Sequence, residues 1–255
     1  MASRERGSAL ITGAARRIGR ALALRLSQAG YAIVIHHRDA AVDAEGLRAE
    51  IEQAGGRAAV VRGDLARETD VTGLIGQAVR AMGPLSLLVN NASHFHDDRV
   101  GGLTRESWDA HMEANLRAPL VLAEAFAAQA PKDAAADPLI LNILDQRVWK
   151  PNPQFFTYTL SKAALWTATR MLAQALAPRV RVNGIGPGPT LANSVHGEGG
   201  LAAEAAAVPL ARRTQLADVC AAALYLIDAP TVTGQMIAVD GGQHLAWKTP
   251  DILGD

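Results

Sequence analysis

The feature that most limits what this chain can fold into is an alternation. Short, almost unbroken apolar runs are each followed by a longer stretch with apolar residues at helical spacing. The runs at 9–12, 32–35, 58–61, 87–90, 139–143, 181–184 and 236–239 have the length and Val/Ile/Leu content of strands buried on both faces. Between them, 16–29, 41–54, 68–81, 105–130, 158–177 and 216–227 read as helices. Seven strands joined by helical crossovers predict one α/β domain over residues 1–255, a doubly wound parallel sheet with helices on both faces. Gly30 and Gly55 are expected helix stops, and Asp64 and Asp218 are acids that suit helix starts. Two segments break the pattern. Residues 150–156 are rich in proline and aromatics; 191–209 is alanine-rich with Gly197, Gly199 and Gly200, and is a candidate substrate-binding loop and mobile cover.

Charge narrows the partners. Lysine plus arginine equals aspartate plus glutamate at 25 each, so no net field recruits nucleic acid or an anionic membrane. No apolar run approaches the ~20 residues of a membrane span, and Met1–Gly7 carries no leader-like stretch. The single cysteine, Cys220, excludes an internal disulfide and reads as core filler. A cytoplasmic protein with a small-molecule partner is the expectation.

Between the first strand and first helix lies Thr12-Gly13-Ala14-Ala15-Arg16-Arg17-Ile18-Gly19, where a Rossmann-type sheet places a dinucleotide pyrophosphate. Gly13 permits the tight turn and Gly19 close helix–sheet packing. Arg17 stands where a three-glycine fingerprint has its middle glycine, so a basic helix start on an ordinary α/β domain also fits. Beside a pyrophosphate, Arg16 and Arg17 add charge-assisted donors. The second strand ends in His36-His37-Arg38-Asp39. An acid at that tip selects NAD, whereas a basic one accommodates the 2′-phosphate of NADP; His37 and Arg38 favour NADPH, leaving Asp39 to cap the next helix. Asp64-Leu65 and Asn90-Asn91-Ala92-Ser93 end strands three and four at the ligand-binding edge, although turn chemistry alone would explain them.

Tyr158 and Lys162 lie four apart and share a helix face, where an ammonium would stabilise phenolate and lower the tyrosine pKa from ~10. The same spacing also describes an ordinary surface pair. Asp145 precedes Tyr158 by thirteen residues. His94, His96, Asp97 and Asp98 crowd one stretch without a distant partner set at ligand spacing, so a solvated pocket rim is expected there and no metal.

Taken in order, Thr12-Gly13-x3-Arg17-Ile18-Gly19, Asp64, Asn91-Ala92-Ser93, Asn115, Tyr158-x3-Lys162, Arg181-Val182-Asn183 and Pro187-Gly188 resemble the short-chain dehydrogenase/reductase family across nearly the whole chain. The resemblance implies Tyr158 as general acid, and Lys162 holding the nicotinamide ribose while lowering the tyrosine pKa. It implies Asn115 organising a proton-relay water, Asn91 and Ala92 beside the adenosine ribose, and Pro187, Gly188 and Thr190 near the carboxamide. Asp240-Gly241-Gly242 is similar to the family's closing strand and oligomer contact, and a homotetramer is implied.

Where most members carry serine, this chain has Asp145. That departure fits either a dead enzyme or a narrower group. Arg17, Phe95 after Asn91-Ala92-Ser93, and the run from Val182 to Gly188 resemble the pteridine reductases and bacterial dihydromonapterin reductases. That subgroup implies NADPH-dependent reduction of pterin or folate rings. Phe95 would stack on the pterin opposite the nicotinamide, Ser93 and Arg17 would bond the ring or cofactor phosphates, and Asp145 would share proton delivery with Tyr158. Phe95 by itself reads equally as a packing aromatic. The rival expectations are a short-chain reductase of another carbonyl or imine, and an NADPH-sensing regulator without turnover.

Overall fold

In a computed structural model describing residues 6–133, 136–191 and 197–247, the strands are β1 (Ser8–Ile11), β2 (Ala32–His37), β3 (Ala58–Arg62), β4 (Leu85–Asn90), β5 (Leu139–Ile143), β6 (Arg181–Pro187) and β7 (Met236–Val239). They form one parallel sheet in the order β3-β2-β1-β4-β5-β6-β7. The helices are α1 (Arg17–Gln28), α2 (Ala41–Gln53), α3 (Glu68–Met82), α4 (Arg105–Met112), α5 (Ala118–Gln129), α6 (Phe156–Leu176), α7 (Gly197–Ala207) and α8 (Leu216–Asp228). Alternation along each strand sends neighbours to opposite faces. Ala9, Ile11, Ile33 and Ile35 meet α1, α2 and α8, while Leu10, Val34 and Leu88 meet α3, α5 and α6. Both faces are therefore covered, which is why the strands read as continuous apolar runs. The order reverses between β1 and β4, and the loops after these two strands diverge there to leave a crevice.

Four features depart from the sequence expectation. The helix expected over 105–130 is interrupted by a π turn, Glu113–Arg117, because Asn115 bonds the backbone at His94 rather than its own helix surroundings. Within 191–209, expected as a loop, residues 197–207 form α7; its alanines are strong helix formers. Residues 192–196 lie outside those described. Asp39 does not cap α2, whose N-cap Ala40 makes no side-chain bond; it accepts from Arg38 Nε at 2.6 Å. Finally, β6 runs three residues further than expected, reaching Pro187 at the crevice. Asp218 does cap α8, in a reciprocal capping box with Gln215. Among the described residues no helix is long and apolar enough to cross a membrane.

Candidate active site

A cavity of about 460 Å³ opens at the carboxyl edge of the sheet. The first loop gives it Gly13, Arg16, Arg17, Ile18 and Gly19; the stretch after β4 gives Asn91, Ala92, Ser93 and Phe95. Asp145, Tyr158 and Lys162 stand opposite, with Pro187, Gly188 and Thr190 from the end of β6. Five expected site residues do not line it. His37 is buried with Nδ1 unpartnered, Arg38 is exposed beside Asp39, Asp64 holds the Ala66 N–H in a turn, Leu65 packs in the core, and Asn115 lies behind the wall.

The first loop is built for close approach. Gly13 has φ +61°, and a Cβ on Gly19 would stand 2.4 Å from the Gly13 carbonyl oxygen. Arg17 itself adopts φ +56°, a left-handed conformation costing a side-chain-bearing residue about 1–3 kcal/mol, so the glycine-like backbone survives although the glycine does not. The N-terminus of α1 has neither a side-chain cap nor an acid in its first turn, leaving backbone donors beside two arginines. Arg16 meanwhile pairs with Asp43 (Nε–Oδ2 2.8 Å). His36, seen in the sequence only as part of a basic tip, ties three elements together. Its Nδ1 accepts from Gly13 N–H (3.1 Å) and its Nε2–H donates to the Gly63 carbonyl (3.0 Å). Burial pushes its pKa down to about 4, which keeps the ring neutral for this pair of bonds. Asn91 closes the other side, donating to the Thr12 and Gly13 carbonyls at 2.8 and 3.1 Å.

At the opposite wall, Tyr158 Oη donates to Asp145 Oδ2 at 2.9 Å, and the Arg147 N–H donates to Asp145 Oδ1 at 2.8 Å. Lys162 Nζ donates to the Ile143 carbonyl (2.8 Å) and stands 5.9 Å from the Tyr158 ring centre. Burial raises the Asp145 pKa and lowers that of Lys162 to about 8. Tyr158 is held well above 10, first by burial and then by the Asp145 charge. The expected lowering of the tyrosine by Lys162 is thus outweighed here, first by burial and then by Asp145, which is in direct contact while the ammonium is not. Tyr158 stays protonated, with a carboxyl held toward its neutral form directly behind it. Asn115, placed by the π turn, accepts from His94 N–H (2.7 Å) and donates to the His94 carbonyl (2.9 Å) and Ser161 Oγ (3.0 Å). Its side chain is committed to protein.

Phe95 remains 37% exposed, stacked on Phe155 (centroids 4.5 Å, 13°) and edge-on to Tyr158 (4.7 Å, 87°). Acids expected as a solvated rim hold this arrangement. Asp97 Oδ1 accepts from the Phe155 N–H (3.0 Å) and buried Asp98 Oδ1 from that of Thr157 (2.9 Å), so the pair caps the N-terminus of α6. Thr157 donates onward to Asp98 and accepts from buried His111 Nδ1 at 2.6 Å. Ser93 Oγ donates to Asn115 Oδ1 at 3.2 Å rather than standing free.

Residues 13–244 match a family described as enoyl-(acyl carrier protein) reductase, within which the phosphate loop, Tyr158 and Lys162 all fall. An uncharacterised oxidoreductase of Methylorubrum extorquens is 31% identical over 242 residues, covering 92% of this chain and 96% of the relative. The chain belongs to the short-chain dehydrogenase/reductase family. Solved members similar to this short-chain oxidoreductase include the FolM alternative dihydrofolate reductases 1 of Brucella canis and Brucella suis, each in complex with NADP. Both are 48% identical with TM-score 0.93, covering 97% of this chain and 97% and 98% of theirs. Among the further residues of this short-chain oxidoreductase that line the cavity, four are polar or charged: Gln146, Arg147, Glu204 and Gln243. Gln146 and Arg147 directly follow Asp145, Glu204 on α7 falls within the 191–209 segment expected to cover the substrate, and Gln243 beyond β7 arrives by tertiary folding alone.

Proposed function

We propose that this short-chain oxidoreductase reduces a ring C=N bond of a pterin- or folate-type substrate. Its cofactor is NADPH, in keeping with the NADP bound in the two Brucella structures, and the cradle suits it: uncapped α1 donors, Arg16 and Arg17 for the phosphates, Lys162 for the ribose. NADPH supplies the hydride; the chain supplies the proton. The observation that carries the reading is the 2.9 Å hydrogen bond from Tyr158 to Asp145 in place of a tyrosine–serine pair. A ketone reductase stabilises a growing alkoxide with a fixed neutral hydroxyl, whereas a carboxyl assists that charge only while it keeps its own proton. A ring nitrogen instead takes a proton. Tyr158 donates it, and Asp145, its pKa raised by burial, returns one to the phenolate oxygen along their shared bond. Phe95, exposed beside Tyr158, offers a flat face to a planar heterocycle, worth roughly 0.5–1.5 kcal/mol beyond area burial. A homotetramer is the assembly we expect, with Tyr225, Leu245 and Trp247 among the exposed apolar side chains available for contact.

Asp145→Ser tests the proton path. We expect kcat for a dihydropterin to fall roughly a hundredfold, within the usual range for general acid–base groups, while the NADPH Kd stays within twofold. Unchanged pterin kinetics from pH 5 to 9 would remove Asp145 from the reaction.

A further inference from the structure

We infer that His111 is a positioning residue: as a neutral imidazole it ties the segment carrying Phe95 to the helix end carrying Tyr158, and its protonation frees the first while leaving the second in place. The inference rests on the reading of Phe95 as the substrate platform and deepens it. His111 lies in the last turn of α4 and is fully buried. On one side the N–H of His96, the residue after Phe95, donates to His111 Nε2 at 3.3 Å. On the other, His111 Nδ1 lies 2.6 Å from the hydroxyl of Thr157, the residue before Tyr158. A neutral ring that accepts at Nε2 carries its proton at Nδ1, so Nδ1–H donates to Thr157. Thr157 in turn donates to Asp98 Oδ2, which also accepts the Ser107 hydroxyl at 2.5 Å, while Asp98 Oδ1 accepts the Thr157 N–H at 2.9 Å. Each hydrogen in this chain has one direction, and the direction requires a neutral ring.

A second proton has unequal effects at the two nitrogens. Nδ1–H still donates to Thr157, with the Asp98 carboxylate beyond it. Nε2–H then faces the His96 N–H, donor against donor, and that contact has to open. The opening reaches Phe95, which stacks on Phe155 and stands edge-on to Tyr158. Among the described residues, the titratable and hydrogen-bonding groups facing the ring come from three elements. The segment after β4 gives His94, edge-on at a centroid distance of 4.8 Å, with His96 and Asp98; α6 gives Thr157 and, at 6.2 Å, the Tyr158 ring; α4 itself gives Ser107. Burial first, and then His94, lower the His111 pKa below 6.5 against the pull of Asp98. Although burial opposes its charge, Asp98 is held below the ordinary carboxylate range by the Ser107 and Thr157 hydroxyls, so it stays ionised while the ring titrates. The proton path from Asp145 to Tyr158 does not pass through His111. Its titration therefore acts on substrate binding and not on the chemical step.

The test compares the wild type with His111→Gln and His111→Leu at pH 7.5 and 5.5, using NADPH and a 7,8-dihydropterin. Glutamine imitates the neutral ring, with an acceptor for His96, a donor for Thr157 and no proton to gain. Between pH 7.5 and 5.5 we expect the wild-type KM to rise about fivefold more than that of His111→Gln, as for one lost hydrogen bond, while the two kcat values change in parallel. His111→Leu, which lacks both bonds, should have the raised KM at both pH values. Amide hydrogen exchange in the NADP complex gives a readout that needs no turnover: residues 94–98 should lose protection at pH 5.5 in the wild type and not in His111→Gln, while 155–159 keep theirs in both. NADP binding and thermal unfolding verify that the variants are folded. If His111→Leu is not, the wild type and His111→Gln decide alone, and His111→Asn replaces His111→Gln if that one is not. The same pH dependence of KM and exchange in wild type and His111→Gln overturns the inference, as does a change confined to kcat or one abolished by His94→Gln instead. A dihydropterin left unconsumed by the wild type at both pH values contradicts the pterin reading alone, and the exchange result then decides the role of His111.

Discussion

Asp145 changes what its neighbours are. Burial first, and then its charge with an oxygen 2.9 Å from the Tyr158 hydroxyl, raise the tyrosine pKa, so the phenol remains a donor across the physiological range, while burial lowers Lys162 at the same wall to about 8. The sign follows: burial favours neutral amine, the ammonium is present below pH 8, and it is lost above. We therefore expect kcat/KM to fall with a basic limb near pH 8 in the free enzyme. A profile flat to pH 9.5 would take the ammonium out of the reaction. Arg38 makes a separate claim at the same scale. It lies outside the cavity and pairs with Asp39, so it must exchange that partner to meet a 2′-phosphate. Arg38→Ala should weaken NADPH by about tenfold, as for a lost charge-assisted bond, and NADH scarcely at all. Equal weakening would show that the 2′-phosphate lies elsewhere, and Arg16, paired with Asp43, is the next residue to test.

At the scale of elements, the site is held by ties between segments far apart in sequence. His36 on β2 joins the loop after β1 to the end of β3, and does so only as neutral imidazole. Its folded pKa, about 4, lies below the ordinary 6.5, so the unfolded chain binds the proton more readily between these values. Folding stability should therefore drop as pH falls from 6.5 to 4, by up to about 3 kcal/mol from this residue. Chemical denaturation at pH 7 and pH 4.5 measures it. His36→Gln should flatten the dependence; the same slope in the variant would assign the loss to other groups. The capping of α6 by Asp97 and Asp98 is a second such tie, fixing Phe95 against Phe155 and Tyr158. These ties explain what the sequence could not disclose. Strands buried on both faces announce themselves by composition, and Gly13, Tyr158 and Lys162 by spacing. The π turn at Asn115, the burial of Asp98 and the role of His36 depend on partners 20 to 60 residues away, which no local pattern encodes. The 197–207 helix was masked by its glycines, although its alanines carry the opposite preference.

Across the whole molecule, one doubly wound sheet brings four strand ends to a single crevice, with the phosphate loop on one side and the Tyr158–Asp145 pair on the other. The fold is common to short-chain dehydrogenases of many specificities, so it argues for hydride transfer and leaves the acceptor to the side chains. Those side chains are a carboxyl behind the proton donor and an exposed aromatic face beside it, which suit a planar heterocycle with a basic ring nitrogen better than a ketone. The most direct test incubates the purified protein with NADPH and, in parallel, a dihydropterin, dihydrofolate and a panel of simple ketones, following loss of nicotinamide absorbance. Turnover of the dihydropterin or dihydrofolate with kcat/KM well above that for every ketone is the predicted result; brisk ketone reduction with neither pterin nor folate consumed would contradict it.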